Sequence, residues 1–169
     1  MRRIAAVLLI LSGVPALAFT TAYLIRPVNA IQLISQESVV RTVPVPQGTE
    51  IYLDYQHSVI RAPVREVFEI SDTGGFLLTR TEHGAFGAGL PTESFGEFRQ
   101  ENDLFIISGI NRSFPEIRLR VSAGSDQTLT IQNGSNVVFL DLLDANDLVI
   151  IRSRTLPRAG IILVGRGSK

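Results

Sequence analysis

At 169 residues, 45% hydrophobic and 19% charged, the chain has room for one folded domain with a sizeable core, and its composition excludes a disordered polymer. Arg2, Arg3 and Arg26 are the only charged side chains before residue 31, leaving 13 basic against 16 acidic groups after it, without the cationic surplus that nucleic-acid binding needs. Cysteine is absent and Lys169 is the single lysine, which excludes disulfides and thiolate chemistry and argues against Schiff-base catalysis.

Arg2 and Arg3 precede an uncharged run over residues 4–25, whose 22 residues would span about 33 Å as a helix against a hydrocarbon core of about 30 Å. The two arginines would stay on the cytoplasmic side and place the rest of the chain on the outer side of the membrane, periplasmic or extracellular. The alternative is a signal peptide with an apolar segment over residues 4–14, a break at Pro15 and a small-residue cleavage site at Ala16-Leu17-Ala18, with a weaker one at Val28-Asn29-Ala30. Either way residues 1–30 read as signal peptide or membrane anchor, and residues 31–169 as a single β domain.

From residue 51 the period is two. Ile51, Leu53 and Tyr55 alternate with Tyr52, Asp54 and Gln56; after a turn around residues 61–63, Val64, Phe68 and Ile70 alternate with Arg65, Val67 and Glu69. That is a hairpin signature. Further strands are predicted over residues 76–82, 104–108, 117–121, 128–132, 137–140 and 148–152, with a short last one over 161–164. The intervening segments 72–75, 109–114, 122–126, 133–136 and 144–147 are rich in the residues that turns require. Residues 141–147 also admit a helical turn. This spacing leaves no room for βαβ crossovers, so the expected fold is all-β, an antiparallel sandwich or barrel-like meander preceded by one N-terminal apolar helix.

Extending the alternation puts His57 on the face of Ile51, Leu53 and Tyr55, and Glu66 on the face of Val64, Phe68 and Ile70. If Tyr55 pairs with Phe68 and Leu53 with Ile70, His57 stands opposite Glu66, close enough to hydrogen-bond. A carboxylate on an apolar face needs a partner. His57, Arg61 or an arginine from another strand are the candidates, with Ser58 capping the turn. Such a pair either closes the hairpin structurally or forms a ligand or acid-base site. His57, Glu66 and His83 have workable ligand types at no recurrent metal-site spacing, so neither a metal nor another cofactor is expected.

The loop around Gly84, Gly87 and Gly89 is free to adopt left-handed conformations. It either forms an anion-binding nest of amides or folds across the open end of the sheet with Phe86 and Leu90 as plugs. Arg112, at a predicted turn, either completes a charge cluster with Glu66, meets an acidic ligand, or stands in solvent.

His57-Ser58-Val59, the stretch Pro63-Val64-Arg65-Glu66-Val67-Phe68-Glu69-Ile70, the stretch Gly87-Ala88-Gly89-Leu90-Pro91 and residues 112–121, in that order, resemble the domain-of-unknown-function family numbered eighteen-fifty. The resemblance covers roughly residues 52–142. It implies a small exported or membrane-anchored protein encoded beside tripartite ATP-independent periplasmic transporters of the TAXI type, with a TAXI permease or its substrate-binding protein as partner and no catalytic assignment. The favoured reading is therefore a non-enzymatic transporter accessory. The alternatives are a small-molecule or metal-binding enzyme using the inward His/Glu pair, and a structural envelope protein.

Overall fold

Alternating apolar side chains build two antiparallel sheets in the computed structural model, which describes residues 18–72, 74–85, 96–132, 134 and 136–164. In chain order the strands are β1 (Pro27–Ser35), β2 (Ser38–Pro44), β3 (Ile51–Gln56), β4 (Pro63–Ile70), β5 (Phe76–His83), β6 (Glu97–Glu101), β7 (Leu104–Phe114), β8 (Ile117–Arg120), β9 (Thr128–Ile131), β10 (Asn136–Val138) and β11 (Leu148–Pro157). One sheet has the order β2-β1-β11-β8 and the other β10-β9-β3-β4-β5-β7-β6. Neither sheet closes on itself, so the all-β expectation holds as two open sheets rather than a barrel.

The inward positions of both sheets meet in one core. Ile31, Leu33, Val43, Val149 and Ile151 come from the four-stranded sheet; Ile51, Leu53, Phe68, Phe76, Leu129 and Ile131 come from the seven-stranded sheet. Phe68 sits at its centre, with the rings of Phe76 and Phe114 edge-on to it at 6.2 Å. Full burial of an aromatic side chain supplies roughly 1.5–3 kcal/mol relative to exposure.

Several elements depart from the sequence reading. The hairpin β1–β2 was not expected; its turn residues Gln36 and Glu37 both have positive φ, as a two-residue type I′ turn demands, but neither is the Asn or Gly that signals one. β1 also takes up residues 27–30, assigned to the leader, and Ala30 is completely buried. β6, equally unexpected, joins β7 through Asn102 and Asp103, again both at positive φ. β7 runs on through the predicted turn 109–114, because Gly109 and Asn111 at positive φ form a bulge where its register with β5 shifts. The segment predicted as a last strand is helical over Arg158–Val164 and packs on β1, β2 and β11. A 3-10 turn at Phe139–Asp141 replaces the end of the strand predicted over 137–140.

Residues 18–25 are helical and Arg26 alone separates them from β1. No helix among the described residues is long and apolar enough to cross a membrane; most of the predicted span, residues 4–17, lies outside them. The joint is braced. Pro27 pairs with Pro157, the Arg158 amide donates to the Arg26 carbonyl at 3.1 Å, and the Arg158 guanidinium lies 4.4 Å from the Tyr23 ring centroid while donating to its hydroxyl.

Candidate functional site

The β3–β4 hairpin decides where the predicted polar pair ends up. Its strands pair Ile51 with Phe68, Leu53 with Glu66, Tyr55 with Val64 and Gln56 with Pro63. The turn occupies residues 57–62: the His57 amide donates to the Ala62 carbonyl and the Arg61 amide to the His57 carbonyl, both at 2.9 Å, with Arg61 at positive φ. The register therefore differs by four residues from the predicted one, and His57 does not stand opposite Glu66. Because side chains repeat every two residues, an even slip keeps every strand residue on its face. Glu66 points inward as expected, while His57 has left the ladder.

The other candidates separate in the same way. His57 Nδ1 accepts the Val59 amide at 3.3 Å, so the imidazole, not the exposed Ser58, caps the turn. Arg61 reaches the Gly124 carbonyl at 3.0 Å and ties this turn to the loop before β9, a bond reinforced by the Gln56 amide on the Ser125 carbonyl at 2.7 Å. Arg112 is exposed over the Phe114 ring at 5.0 Å and pairs with Leu78, whereas the β5 neighbour of Glu66 is Thr81. It completes no cluster with Glu66. Gly87 and Gly89, with Phe86 and Leu90, lie outside the described residues.

What surrounds Glu66 is a single row of cross-strand neighbours: Leu129, Leu53, Glu66, Thr81, Ile107 and Phe98. The adjacent row holds Tyr55, Val64, His83 and Phe105. A carboxyl group thus sits in a row that is apolar but for the Thr81 hydroxyl, and Leu129, Leu53, Thr81 and Ile107 are all buried. The Tyr55 hydroxyl donates to Glu66 Oε1 at 3.3 Å. Burial raises the Glu66 carboxyl above the ordinary carboxylate range, and the Tyr55 bond opposes that rise only in part. Burial, with the acid beside it, raises the Tyr55 phenol in turn. Thr81 Oγ1 is buried with no hydrogen-bond partner among the described residues. His83 is fully buried on the same face, its Nδ1 3.0 Å from the Ala85 carbonyl and its ring 5.8 Å from that of Phe105.

The arginines of β4 and β5 nearest to Glu66 in the strands serve the other face. Arg65 meets both carboxylate oxygens of Asp54 at 2.6 and 3.2 Å and lies over the Tyr52 ring; Arg80 bridges Glu82 at 2.8 Å and Glu50 at 3.3 Å. Val67, cross-strand partner of Arg80, is completely buried on a nominally outward position. Among the described residues no group of three or more His, Asp or Glu side chains is arranged to hold a metal ion.

The sequence reading found Glu66 and missed Thr81 and Tyr55 as its neighbours. The usable signal was the alternation Thr81-Glu82-His83, but an irregularity in β5 after Leu78 breaks the count from Phe76. Chemically, the row presents a carboxyl held toward its protonated form, beside two hydroxyls and an imidazole, in low-dielectric surroundings. Such a set can both donate and accept hydrogen bonds. A separate polar cleft of about 450 Å³, lined by Asn29, Thr49, Glu69, Asp72, Ser153 and Arg154, does not include Glu66 in its walls.

Residues 51–137 match a family model described as a domain of unknown function, DUF1850. That segment runs from the first residue of β3 into β10 and contains the entire Glu66 row. No curated protein and no solved structure matches the chain.

Proposed function

The chain belongs to the DUF1850 family, a domain of unknown function, and from that premise we propose that it is a membrane-anchored accessory module of a solute transporter, acting on the outer side of the cytoplasmic membrane. The observation that carries this reading is the one-residue joint between the helical residues 18–25 and β1, braced by Arg158 on Tyr23. An apolar leader that passes into a folded sheet through Arg26 alone holds the domain against the bilayer surface, within reach of a membrane-embedded partner. The cationic flank of Arg2 and Arg3 supports the outward orientation. The chain's resemblance to a family whose members are often encoded beside TAXI-type transporters supports a permease or substrate-binding protein as that partner.

The test is affinity purification of the full chain, tagged at its C-terminus, from solubilised membranes, with identification of what accompanies it. A stoichiometric permease or substrate-binding protein is the expected result. Recovery of the chain alone from membranes, or only in the soluble fraction, overturns the proposal.

The Glu66 row favours a second reading, in which the domain binds a small neutral polar solute. Thermal stability of wild type and Glu66→Gln across a solute panel tests it: a solute that stabilises the wild type and not the variant supports binding at this row, and no shift in either rejects it.

A further inference from the structure

We infer that the outer face of the four-stranded sheet lies on anionic phospholipid headgroups beside the anchor. This inference rests on the membrane-anchored reading above and goes beyond it by assigning the surface that meets the lipid.

Strand register identifies the face. Val149 and Ile151 of β11, Ile31 and Leu33 of β1 and Ile117 and Leu119 of β8 belong to or pack on the core. Their alternates point away from it. One outward row is Val39, Ile34, Ile150 and Arg118; flanking it are Leu148 beside Arg120 and Gln32 beside Arg152, with Arg154 next along β11. Val39 and Leu148 are 44% and 43% exposed, large values for aliphatic side chains on a regular sheet. Ile34 and Ile150 line an open groove with Arg152 and Arg154 on its rim.

The charge on this face is net positive. Four arginines, Arg118, Arg120, Arg152 and Arg154, project from β8 and β11 against two acids, Glu37 in the wall of the groove and Glu116, which Arg118 and Arg152 share. The opposite sheet differs. There Glu50, Asp54 and Glu82 outnumber Arg65 and Arg80 and pair with them, and the outer strand β6 carries Glu97 and Glu101 against Arg99. A negatively charged surface therefore attracts one sheet and repels the other, so charge alone sets which side of the domain faces it.

Three features select lipid as the occupant. The helical residues 18–25, exposing Phe19 and Ile25, feed this sheet and no other, through a joint one residue long. Arg26, Arg158 and the aromatic Tyr23 stand at that joint, the combination that marks a membrane-water interface. Arginine beside exposed aliphatics is the composition of interfacial surfaces, in which apolar stems enter the headgroup layer and guanidinium groups bind phosphate.

The absence of cysteine allows single reporters to be placed at will. Full-length chain carrying Leu148→Cys on this face, or Gln100→Cys on β6, is labelled with a fluorophore. It is then reconstituted in phosphatidylcholine vesicles with or without phosphatidylglycerol, containing a headgroup-linked quencher. Flotation measures anchoring and quenching measures docking. Docking predicts several-fold stronger quenching at 148 than at 100 with phosphatidylglycerol present. The difference collapses without that lipid, and in about 1 M salt, where the screening length falls to about 3 Å. A combined Arg118→Gln, Arg120→Gln and Arg154→Gln chain loses the difference too, with circular dichroism confirming its fold. Equal quenching at both positions, or quenching indifferent to phosphatidylglycerol, overturns the inference while flotation upholds the anchor. Shielding of the 148 label from aqueous iodide without lipid quenching assigns the face to a second copy and overturns it as well. Failure to float removes the anchor reading and this one together.

Discussion

Replacing Glu66 by Gln keeps the side chain's shape and one acceptor oxygen while removing the ionisation, so it tests the cost of placing this acid in a largely apolar row. The folded-state pKa is raised above the ordinary 4.5 by burial. Below that ordinary value the group is protonated in both folded and unfolded chains and contributes no difference. As pH rises through it, the unfolded chain releases the proton while the folded chain retains it, so the folded state loses stability by up to about 1.4 kcal/mol per pH unit. The loss stops once pH exceeds the folded pKa, and the penalty then persists. Glu66→Gln carries no such slope. Urea unfolding followed by circular dichroism, from acid to neutral pH, should therefore show two curves that separate upward from the unfolded carboxyl pKa, with the variant the more stable at neutrality. The height of the plateau reads the size of the shift. Parallel curves, or a wild type more stable than the variant at neutral pH, would refute the claim that Glu66 is held in a desolvating environment.

Tyr55→Phe removes the donor to Glu66 Oε1 and is expected to cost about 1 kcal/mol, more where Glu66 is ionised than where it is protonated; denaturation at both ends of the same pH series measures the difference. His57→Ala loses one turn-capping bond, so its effect on the melting curve should stay near about 1 kcal/mol or below and should leave the pH slope of Glu66 untouched. Phe76→Ala removes a fully buried core ring and should cost about 3–5 kcal/mol in chemical denaturation. Gly75→Ala is predicted to be more damaging than Gly74→Ala: both have positive φ, but only at Gly75 does an added Cβ come within 2.4 Å of the Phe114 carbonyl oxygen, a contrast that paired thermal melts resolve.

Period-two alternation from Ile51 onward disclosed the fold class, the β3–β4 hairpin and the inward direction of Glu66, because side-chain parity is a property of the strand itself. Register is not. The position of the turn depended on the Arg61 backbone entering the left-handed region, which a residue with a Cβ rarely announces, and the predicted pairing came out four residues away. The same blindness hid β1–β2, whose turn is Gln36-Glu37, while β6 was hidden by its charge: Glu97, Arg99, Gln100 and Glu101 read as loop although their backbone pairs with β7. In β7 the error ran the other way, since Gly109 and Asn111 carry turn chemistry and spend it on a bulge. His57 shows the consequence for a site. An imidazole one step past the end of an alternating strand was assigned to the core face, and the chain turned before it got there.

The four outermost strands share a property with consequences for how the molecule behaves among its own copies. β8 has four residues and β10 three; β6 presents alternating acids and arginine; β2 ends in Pro44, which has no amide hydrogen to offer. A foreign β-segment arriving at any of these borders meets a ladder too short, too charged or too interrupted to extend. Growth into fibres by strand addition is thereby discouraged without any help from the interior.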